Sequence, residues 1–234
     1  MFIQSDRIRD YVFPIVTVAA EPAGGGMAVQ SFLGTGFLIG NRGYALTASH
    51  VLAGHESISK VGMFAPETGG WLSIAIQAEE AHPTEDVAAL KLEGGPWKSF
   101  FRLSNTWEGS SCKYRMFGYP EDVTYELERN GKAILRPDLI YAEGYVRRRI
   151  AHRIPTLKGI SFFELSEVAG PGCSGSPIFK FGAGMWDVIG IYVGEKLNER
   201  ATSVSYAVRE DAFRDWVPGV LGIPVLAESQ NVSA

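Results

Sequence analysis

The sequence predicts an all-β protein in which one compact domain is built from two packed halves. Short apolar or alternating segments recur between glycine, proline, asparagine and aspartate residues, a rhythm that is typical of an antiparallel sandwich or barrel. The chain has 234 residues, enough to bury a sizeable core, and all-β chains of this length often form a single domain. The predicted strands are 14–18, 32–39, 44–47, 71–77, 87–92, 113–117, 140–148, 161–165, 177–179, 188–193 and 203–208.

Glycine and proline residues mark the boundary between the two halves. Segment 94–110 is rich in glycine and also contains proline and asparagine, which favours a crossover there. We therefore expect an N-terminal unit over about 11–93 and a C-terminal unit over about 111–220, within one domain that takes up the whole chain. The C-terminal unit is expected to include a helix over 208–217, where apolar residues recur at three- and four-residue spacing before Pro218.

The charge of the chain argues against nucleic acid as its partner. The formal net charge is −4, so there is no general attraction to phosphate backbones or anionic lipid, whose binding rests on clustered lysine and arginine. Segment 147–153 is a local exception, with four arginines and one histidine. Because side chains alternate along a strand, its arginines divide between two faces, which favours a solvated edge or hairpin over a docking patch.

Several features of the sequence favour a soluble, cytoplasmic protein with no membrane partner. Only Cys112 and Cys173 are present, too few for the disulfide framework of a small secreted domain, so a reducing compartment is the simpler interpretation. An apolar run near the N-terminus follows two arginines, but Asp6 and Asp10 cancel their charge, so a secretory signal is not expected. The uncharged stretch 22–41 is too rich in glycine and polar residues for a membrane-spanning helix.

Three separated motifs carry the residue types that acyl transfer requires. His50 follows the predicted strand 44–47, Asp86 precedes an apolar strand, and Ser174 stands in the sequence Gly-Cys-Ser-Gly-Ser-Pro. A serine hydroxyl is a weak nucleophile and needs a neighbouring base, and a histidine can accept and return its proton. A carboxylate on the second imidazole nitrogen orients the ring and stabilises the imidazolium. We therefore predict Ser174 as nucleophile, His50 as general base and Asp86 as the orienting carboxylate.

With these motifs the chain resembles the chymotrypsin-like serine proteases, in particular the bacterial trypsin-like peptidases and the glutamyl endopeptidases. The chain order histidine, aspartate, serine matches that family. The resemblance extends through 34–39, 117–120 and 188–191 and covers about 13–208. It implies two packed six-stranded antiparallel β-barrels of the chymotrypsin type with a C-terminal helix. It also implies a serine endopeptidase that hydrolyses polypeptide substrates through an acyl-enzyme intermediate.

The resemblance further implies an oxyanion hole formed by the backbone amides of Gly172 and Ser174. Glycines around a nucleophile permit the backbone turn that points two N–H groups into one space. Two alternatives stay open at this point. Glu85 competes with Asp86 as the orienting carboxylate, and Cys173 competes with Ser174 as the nucleophile, although the position within the motif favours the serine.

The substrate pocket implied by the resemblance is lined by Val168, Tyr192, Val193 and Gly194. Position 168 lacks the aspartate of trypsin, and Tyr192 stands where glutamyl endopeptidases carry a histidine that reads the substrate carboxylate. We therefore expect a small or apolar residue before the scissile bond. Glu167 or Glu195, if either reached into the pocket, would restore a basic preference.

Cys173 also bears on activation, because trypsin relatives carry an aspartate at this position. That aspartate receives the new N-terminal ammonium after zymogen cleavage. The resemblance therefore implies a chain that is active without N-terminal processing, or one that is controlled by a regulatory protein partner or by loop ordering.

We expect no metal and no cofactor. The histidines and cysteines lack short-spaced ligand pairs, apart from His50 and His55, which have no supporting partners. The glycine run 24–26 lacks the Gly-Lys-Ser/Thr of a phosphate-binding loop. The alternative function, from a different class, is a catalytically silent protease-like module that binds proteins in the same cleft.

Overall fold

The first half of the chain folds into a closed antiparallel β-barrel. The computed structural model describes residues 5–20, 27–55, 58–65, 71–95, 97–129, 132–182, 186–197 and 203–231. The glycine run 24–26, which was considered above as a phosphate-binding loop, lies outside the described residues. The strands of this barrel are β1 (Val12–Ala20), β2 (Met27–Ile39), β3 (Tyr44–Thr47), β4 (Lys60–Phe64), β5 (Leu72–Ala81) and β6 (Ala88–Leu92). They follow the order β1-β2-β3-β6-β5-β4, and pairing of β1 with β4 closes the barrel.

The second half forms another six-stranded antiparallel barrel. The strands of this half are β7 (Arg102–Leu103), β8 (Lys113–Gly118), β9 (Thr124–Arg129), β10 (Lys132–Pro137), β11 (Ile140–Ala151), β12 (Ser161–Leu165), β13 (Pro177–Lys180), β14 (Asp187–Leu197) and β15 (Ser203–Arg209). The order β13-β8-β11-β12-β15-β14 becomes a ring because β14 also pairs with β13. β7 runs parallel to β14 beside this ring, and β9 and β10 form a separate hairpin. The expected fold of two six-stranded antiparallel barrels is confirmed.

One hydrophobic cluster joins the two barrels through the crossover between them. Phe101 of the crossover is fully buried, and its ring lies 6.5 Å from that of Phe37 in β2 and 4.7 Å from that of Phe179 in β13. Trp186 stacks on the same ring at 5.8 Å. Truncation of a buried aromatic ring of this kind typically costs about 3–5 kcal/mol of stability. The crossover therefore packs both barrels into one unit.

The prediction of a helix over 208–217 is wrong. β15 extends past Val208, and a 3₁₀ turn over Glu210–Ala212 follows it, whereas the short helix α1 spans Val225–Ser229. Val208 faces the core from a strand, and Phe213 faces it from the turn that follows. The apolar spacing of three and four residues therefore arises from a strand end and a turn, because pairing of β15 with its two neighbours fixes the extended conformation.

Helix α1 fastens the C-terminal part of the chain to the first barrel. Glu228 is buried and accepts a hydrogen bond from Arg42 Nε at 2.7 Å. Ser229 Oγ accepts the backbone N–H of Leu103 in β7 at 3.1 Å. In the part of the chain that the structure describes, no helix has the length and apolar character needed to span a bilayer.

Both cysteines are free thiols. Cys112 is half-buried and Cys173 is buried. Free thiols are what a reducing compartment maintains. The cytoplasmic location stays a prediction.

Glu210 is a buried carboxyl group whose pKa makes the stability of the fold depend on pH. Among the described residues neither of its carboxyl oxygens has a hydrogen-bond partner, and burial raises its pKa to about 8, with Asp211 adding to the rise. The cations Arg149 and Arg214 lower the pKa without offsetting the burial. In the unfolded chain the group ionises at its ordinary, lower pKa, so the folded state holds an extra proton over the interval between the two values. The free energy of unfolding that this proton contributes is fully present below the ordinary pKa of glutamate, and it is lost as the pH rises from there to about 8.

We expect the variant Glu210→Gln to remove this pH dependence, because glutamine keeps the shape of the side chain without an ionisable proton. Denaturant unfolding at about pH 5 and about pH 9 measures it. The wild type should lose more free energy of unfolding than the variant between the two conditions. Equal losses in the two proteins would contradict a protonated Glu210 in the folded state.

Candidate active site

Two strands of the first barrel bring His50 and Asp86 together. β3 and β6 are antiparallel neighbours in which Thr47 lies opposite Ala88. His50 follows Thr47 in a 3₁₀ turn and Asp86 precedes Ala88, so both stand at the same end of the strand pair. His50 Nδ1 and Asp86 Oδ2 are 2.7 Å apart, and the backbone N–H of His50 donates to Asp86 Oδ1 at 2.9 Å. One carboxylate therefore holds both the ring and the backbone of the histidine.

Asp86 is buried, with 3% of its surface exposed, and it is ionised at neutral pH. Burial alone would raise its pKa, but hydrogen bonds from the His50 ring, the Ser49 hydroxyl and the His50 amide outweigh burial and lower it. Ser49 Oγ donates to Asp86 Oδ1 at 2.7 Å. The charged carboxylate favours a proton on Nδ1 of the neutral imidazole, which leaves Nε2 free to accept one. Sequence analysis missed Ser49, because a polar residue in a turn is not a specific signal.

Glu85, the competing carboxylate, turns away from His50 towards the second barrel. Its Oε2 accepts the backbone N–H groups of Ile160 and Ser161 at 3.2 and 3.4 Å. The geometry therefore pairs Asp86, and not Glu85, with the imidazole.

Lys158 lies in the loop between β11 and β12 and also contacts the segment that carries Asp86. Its Nζ donates to His82 O at 2.7 Å and lies 3.4 Å from Ser49 Oγ. A loop of the second barrel thus steadies the carboxylate of the first. The sequence carries no signal for this contact, because the partners lie on different barrels.

The loop that carries Ser174 requires glycine on both sides of the nucleophile. Gly172 and Gly175 have φ angles of 88° and 91°, which side chains with a Cβ rarely adopt. A Cβ on Gly172 would lie 2.5 Å from Glu121 N, and a Cβ on Gly175 would lie 2.0 Å from Thr35 O. The loop backbone is therefore pressed against segments from both barrels.

Cys173 is not suited to act as the nucleophile. Its side chain is fully buried, its thiol donates to Ala169 O at 3.2 Å, and burial raises its pKa to about 12. A reactive cysteine needs an accessible thiolate. Ser174 is half-buried and reaches the surface. The structure therefore favours the serine over the thiol.

Thr35 of β2 ties the Ser174 loop to the first barrel. Its backbone N–H donates to Ser174 O at 2.8 Å, and its Oγ1 donates to Gly172 O at 3.0 Å. The same hydroxyl accepts the backbone N–H of Tyr119 at 3.0 Å. Its carbonyl accepts the Thr47 hydroxyl at 2.7 Å. One residue therefore joins β2, β3, the nucleophile loop and the segment after β8.

Ser174 reaches the same end of the first barrel as His50. A Cβ placed on Gly34 of β2 would lie 2.8 Å from Ser174 O and 2.7 Å from the side chain of Val51. Val51 follows His50 directly in the chain. Within the described residues, however, no hydrogen bond joins Ser174 Oγ to His50. The structure therefore brings the Ser174 loop and the His50 turn to the same end of the barrel, without a hydrogen bond between the two side chains.

The two amides assigned to the oxyanion hole have no acceptor among the described residues. The carbonyl groups of Pro171 and Cys173 each accept a backbone N–H, at 2.9 and 3.0 Å. In a trans peptide the N–H points opposite to the carbonyl of the same plane. The N–H groups of Gly172 and Ser174 are therefore directed away from those partners and stay available to an anionic oxygen.

Two of the four residues predicted to line the substrate pocket lie in the protein core. Tyr192 has no exposed surface, burial raises its pKa, and its hydroxyl accepts the backbone N–H of Ala169 at 3.3 Å. Val193 is buried as well. Val168 is 40% exposed and Gly194 is half-buried. Val168 and Gly194 are therefore accessible from solvent, whereas Tyr192 lies inside the second barrel.

A cavity of about 410 Å³ lies beside the His50 ring. Its walls include Asp86, Glu79 and Leu52 of the first barrel and Lys158 of the second. Clefts of this size commonly hold small ligands or side chains. Space next to the histidine is thus available to a substrate.

The basic segment 147–153 is paired with acidic residues where it lies in β11. Arg148 Nε lies 2.6 Å from Glu164 Oε2, and Arg149 forms an ion pair with Asp211 at 2.5 Å. These contacts fit a solvated strand. Among the residues that the structure describes, no cluster of three or more histidine, cysteine or acidic side chains is placed to hold a metal.

Solved structures of proteases share this fold at low sequence identity. The HtrA-type protease AlgW with a decapeptide has a TM-score of 0.60 and 16% identity, covering 88% of this chain and 63% of that chain. The apo protease domain of MamO from Magnetospirillum magneticum has a TM-score of 0.57 and 15% identity, covering 85% and 92%. Deg5 has a TM-score of 0.57 and 17% identity, covering 90% and 92%. The chain spans less than two thirds of the length of the AlgW chain.

The family of the chain follows from a match to a sequence model. No curated protein matches the chain. The model described as a trypsin-like peptidase domain matches residues 34–191, which is more than half of the chain and contains all three motifs that are predicted to be catalytic. This match confirms the resemblance inferred from the sequence. The chain therefore belongs to the trypsin-like peptidase domain family and has the chymotrypsin-like fold.

Proposed function

We propose that the chain is a serine endopeptidase that hydrolyses polypeptides through an acyl-enzyme intermediate. Ser174 is the nucleophile, His50 the general base and Asp86 the carboxylate that orients the base. The observation that carries this proposal is the 2.7 Å contact between His50 Nδ1 and Asp86 Oδ2, at the end of the barrel on which the Ser174 loop docks. The similar structure of AlgW was solved with a decapeptide, which supports a polypeptide substrate here.

In the first half-reaction, Ser174 Oγ attacks the peptide carbonyl carbon while its proton passes to His50 Nε2. Asp86 keeps its hydrogen bond to Nδ1–H and stabilises the imidazolium. The carbonyl oxygen becomes an oxyanion and accepts the N–H groups of Gly172 and Ser174. His50 then gives the proton to the leaving amine as the C–N bond breaks, and Ser174 is left acylated.

In the second half-reaction, water takes the place of the amine. His50 accepts one proton from the water, the oxygen attacks the acyl carbon, and Ser174 Oγ leaves with the proton that His50 returns. One water is consumed for each peptide bond cleaved. The hydrogen bond between Ser174 and His50 that this requires forms with substrate in place, since catalytic hydrogen bonds are often long in the free enzyme.

The position of Tyr192 supports a preference for a small or apolar residue before the scissile bond. Its carbonyl accepts the N–H of Gly175 at 2.7 Å and its N–H donates to Ser176 O at 2.9 Å, so it packs against the nucleophile loop. Its hydroxyl is already bonded to Ala169. A charged substrate side chain buried beside this neutral phenol would lose its hydration, and that is costly.

We also propose that the chain is active without N-terminal processing. Ile15 is fully buried in β1, where it lies opposite Gly34 and Gly62 of the neighbouring strands, so cleavage there would break the first barrel. Cys173 supplies no carboxylate for a new N-terminus. The proteolytic activity is then controlled by a regulatory protein partner, or by ordering of the loop that brings Ser174 into contact with His50.

A second candidate function is a catalytically silent module that binds proteins in the cleft. The observation that favours it is that Ser174 Oγ has no hydrogen bond to His50 within the described residues. The reactivity of Ser174 separates the two functions.

We expect a fluorophosphonate to form one covalent adduct per chain, in which phosphorus bonds to Ser174 Oγ and fluoride leaves. Intact-mass measurement detects the adduct, and hydrolysis of a peptide substrate gives the rate. Ser174→Ala should abolish the adduct and lower kcat about a millionfold, because the nucleophile is gone. The matched control is the adjacent Cys173→Ala, which should keep the adduct and most of the rate because the thiol lies in the core.

Two outcomes would contradict the assignment. An adduct that persists in Ser174→Ala places the nucleophile elsewhere. A folded wild type that binds peptide, forms no adduct and cleaves nothing is the silent binding module.

We expect a diverse peptide pool to be cut after small or apolar residues. Mass spectrometry of the products reads the preference, and Ser174→Ala provides the blank. Val168→Ala should shift cleavage towards larger apolar residues because it shortens an accessible side chain of the predicted pocket, whereas Tyr192→Phe should keep the wild-type preference because the Tyr192 hydroxyl lies in the core. Cleavage confined to lysine and arginine, or confined to glutamate, would overturn the expected specificity.

A further inference from the structure

The hydroxyl of Thr35 stands behind the backbone that forms the proposed oxyanion hole. Thr35 is fully buried in β2, and its Oγ1 bonds to two segments of the other barrel. It donates to Gly172 O at 3.0 Å and accepts the N–H of Tyr119 at 3.0 Å. Its backbone N–H donates to Ser174 O at 2.8 Å. The carbonyl groups on both sides of Cys173 are therefore held by one residue of the first barrel.

The peptide plane that follows Gly172 is the part of the loop that most needs such a restraint. Glycine has more backbone freedom than any other residue, so rotation at Gly172 meets little intrinsic resistance. Rotation of this plane would swing the Gly172 carbonyl away and displace the amide of Ser174, two residues further on. The Thr35 hydroxyl opposes that rotation, because it fixes the direction of the carbonyl.

The segment after β8 also packs against the loop and bonds to the same hydroxyl. A Cβ on Gly172 would lie 2.6 Å from Tyr119 O, so the segment after β8 runs directly against the loop. The N–H of Tyr119 ends on Thr35 Oγ1. A hydroxyl can donate one hydrogen bond and accept others, which lets one atom satisfy both segments. A methyl group in its place would leave the half-buried Gly172 carbonyl and the buried Tyr119 N–H without these partners.

We propose that Thr35 is a positioning residue for oxyanion stabilisation, whose hydroxyl holds the Gly172 carbonyl and so presents the amides of Gly172 and Ser174 to the reacting oxygen. This inference rests on the proposed serine protease mechanism. Thr35 touches neither the substrate nor the reacting atoms, and it acts through the backbone of the loop. Its effect therefore falls on the transition state, where the oxyanion exists, and not on binding of the peptide.

The test compares Thr35→Val, which removes the hydroxyl at constant shape, with Thr35→Ser, which keeps it. Loss of one oxyanion donor typically costs about 100- to 1000-fold in kcat. We expect Thr35→Val to lower kcat about 100-fold with KM within about twofold, and Thr35→Ser to stay within about threefold of wild type. Affinity for a peptidyl boronate, which forms a tetrahedral adduct, should fall in parallel with kcat.

The matched control is Thr17→Val, the same substitution at a buried threonine whose hydroxyl bonds only within the first barrel. Thr17 Oγ1 lies 2.7 Å from Ser31 Oγ, away from the nucleophile loop. This variant should keep the wild-type kcat. If Thr35→Val does not fold, Thr35→Ala against Thr35→Ser isolates the hydroxyl in the same assay.

Three kinetic results would overturn the positioning role. They are a kcat of Thr35→Val within threefold of wild type, a loss no larger than that of Thr17→Val, and a rise in KM at constant kcat. If the wild type shows no peptide hydrolysis that depends on Ser174, the proposed function is overturned instead.

In that case NMR of the backbone amides tests the role of Thr35, because it requires no enzymatic activity. The Gly172 and Ser174 amide signals should be unchanged in Thr35→Ser and shifted or broadened in Thr35→Val, and unchanged signals in Thr35→Val would refute the inference.

Discussion

The docking of the Ser174 loop on strand β2 is the contact on which the rest of the site depends. Ser174, the proposed nucleophile, belongs to the second barrel and the His50–Asp86 pair to the first, so neither barrel contains the whole of the proposed site. The hydrogen bond from Thr35 N–H to Ser174 O, at 2.8 Å, sets the position of one against the other. Because buried backbone groups must be paired, a shift of the loop by one residue would leave donors and acceptors unsatisfied. The interface is therefore specific in register as well as apolar.

Each barrel also steadies the part of the machinery that the other supplies. The loop between β11 and β12 reaches across with Lys158, which binds the carbonyl of His82 at 2.7 Å beside the segment of Asp86. In the other direction, Thr35 of the first barrel holds the carbonyl of Gly172 at 3.0 Å. Orientation of the base and orientation of the oxyanion donors are thus both properties of the interface. A change in how the barrels pack would alter both at once.

Electrostatics and burial divide the roles of the polar groups at this interface. Asp86 is buried but keeps its charge, because three hydrogen bonds converge on its carboxylate. Cys173 is buried with its thiol protonated, and Tyr192 is a buried neutral phenol. The buried charge of the proposed triad is therefore that of Asp86, next to His50. Cys173 and Tyr192, the buried residues that pack against the Ser174 loop, are both neutral.

Most strands could be predicted from the sequence, because alternation of apolar and polar residues is a property of neighbouring residues. The three motifs could be recognised for the same reason, because each consists of neighbouring residues. The helix expected over 208–217 failed because strand pairing, a long-range contact, decided the conformation of the first part of that segment. Strand β4 and the β9–β10 hairpin were not predicted either, since short segments with lysine, glycine or several charges carry a weak strand signal. The roles of Ser49 and Lys158 were not predicted, because they depend on contacts between residues that are far apart in the sequence. Their contact joins residues 109 positions apart, and the contact of Thr35 with Gly172 spans 137 positions.

The crystal structure of the chain with a peptidyl boronate tests the union of the two barrels at one reacting centre most directly. The account predicts boron bonded to Ser174 Oγ, one boronate oxygen within hydrogen-bond distance of the amides of Gly172 and Ser174, and His50 Nε2 within reach of Ser174 Oγ while Nδ1 stays on Asp86. A boronate bound without a bond to Ser174, or a His50 ring that stays out of reach of it in the complex, would contradict the account.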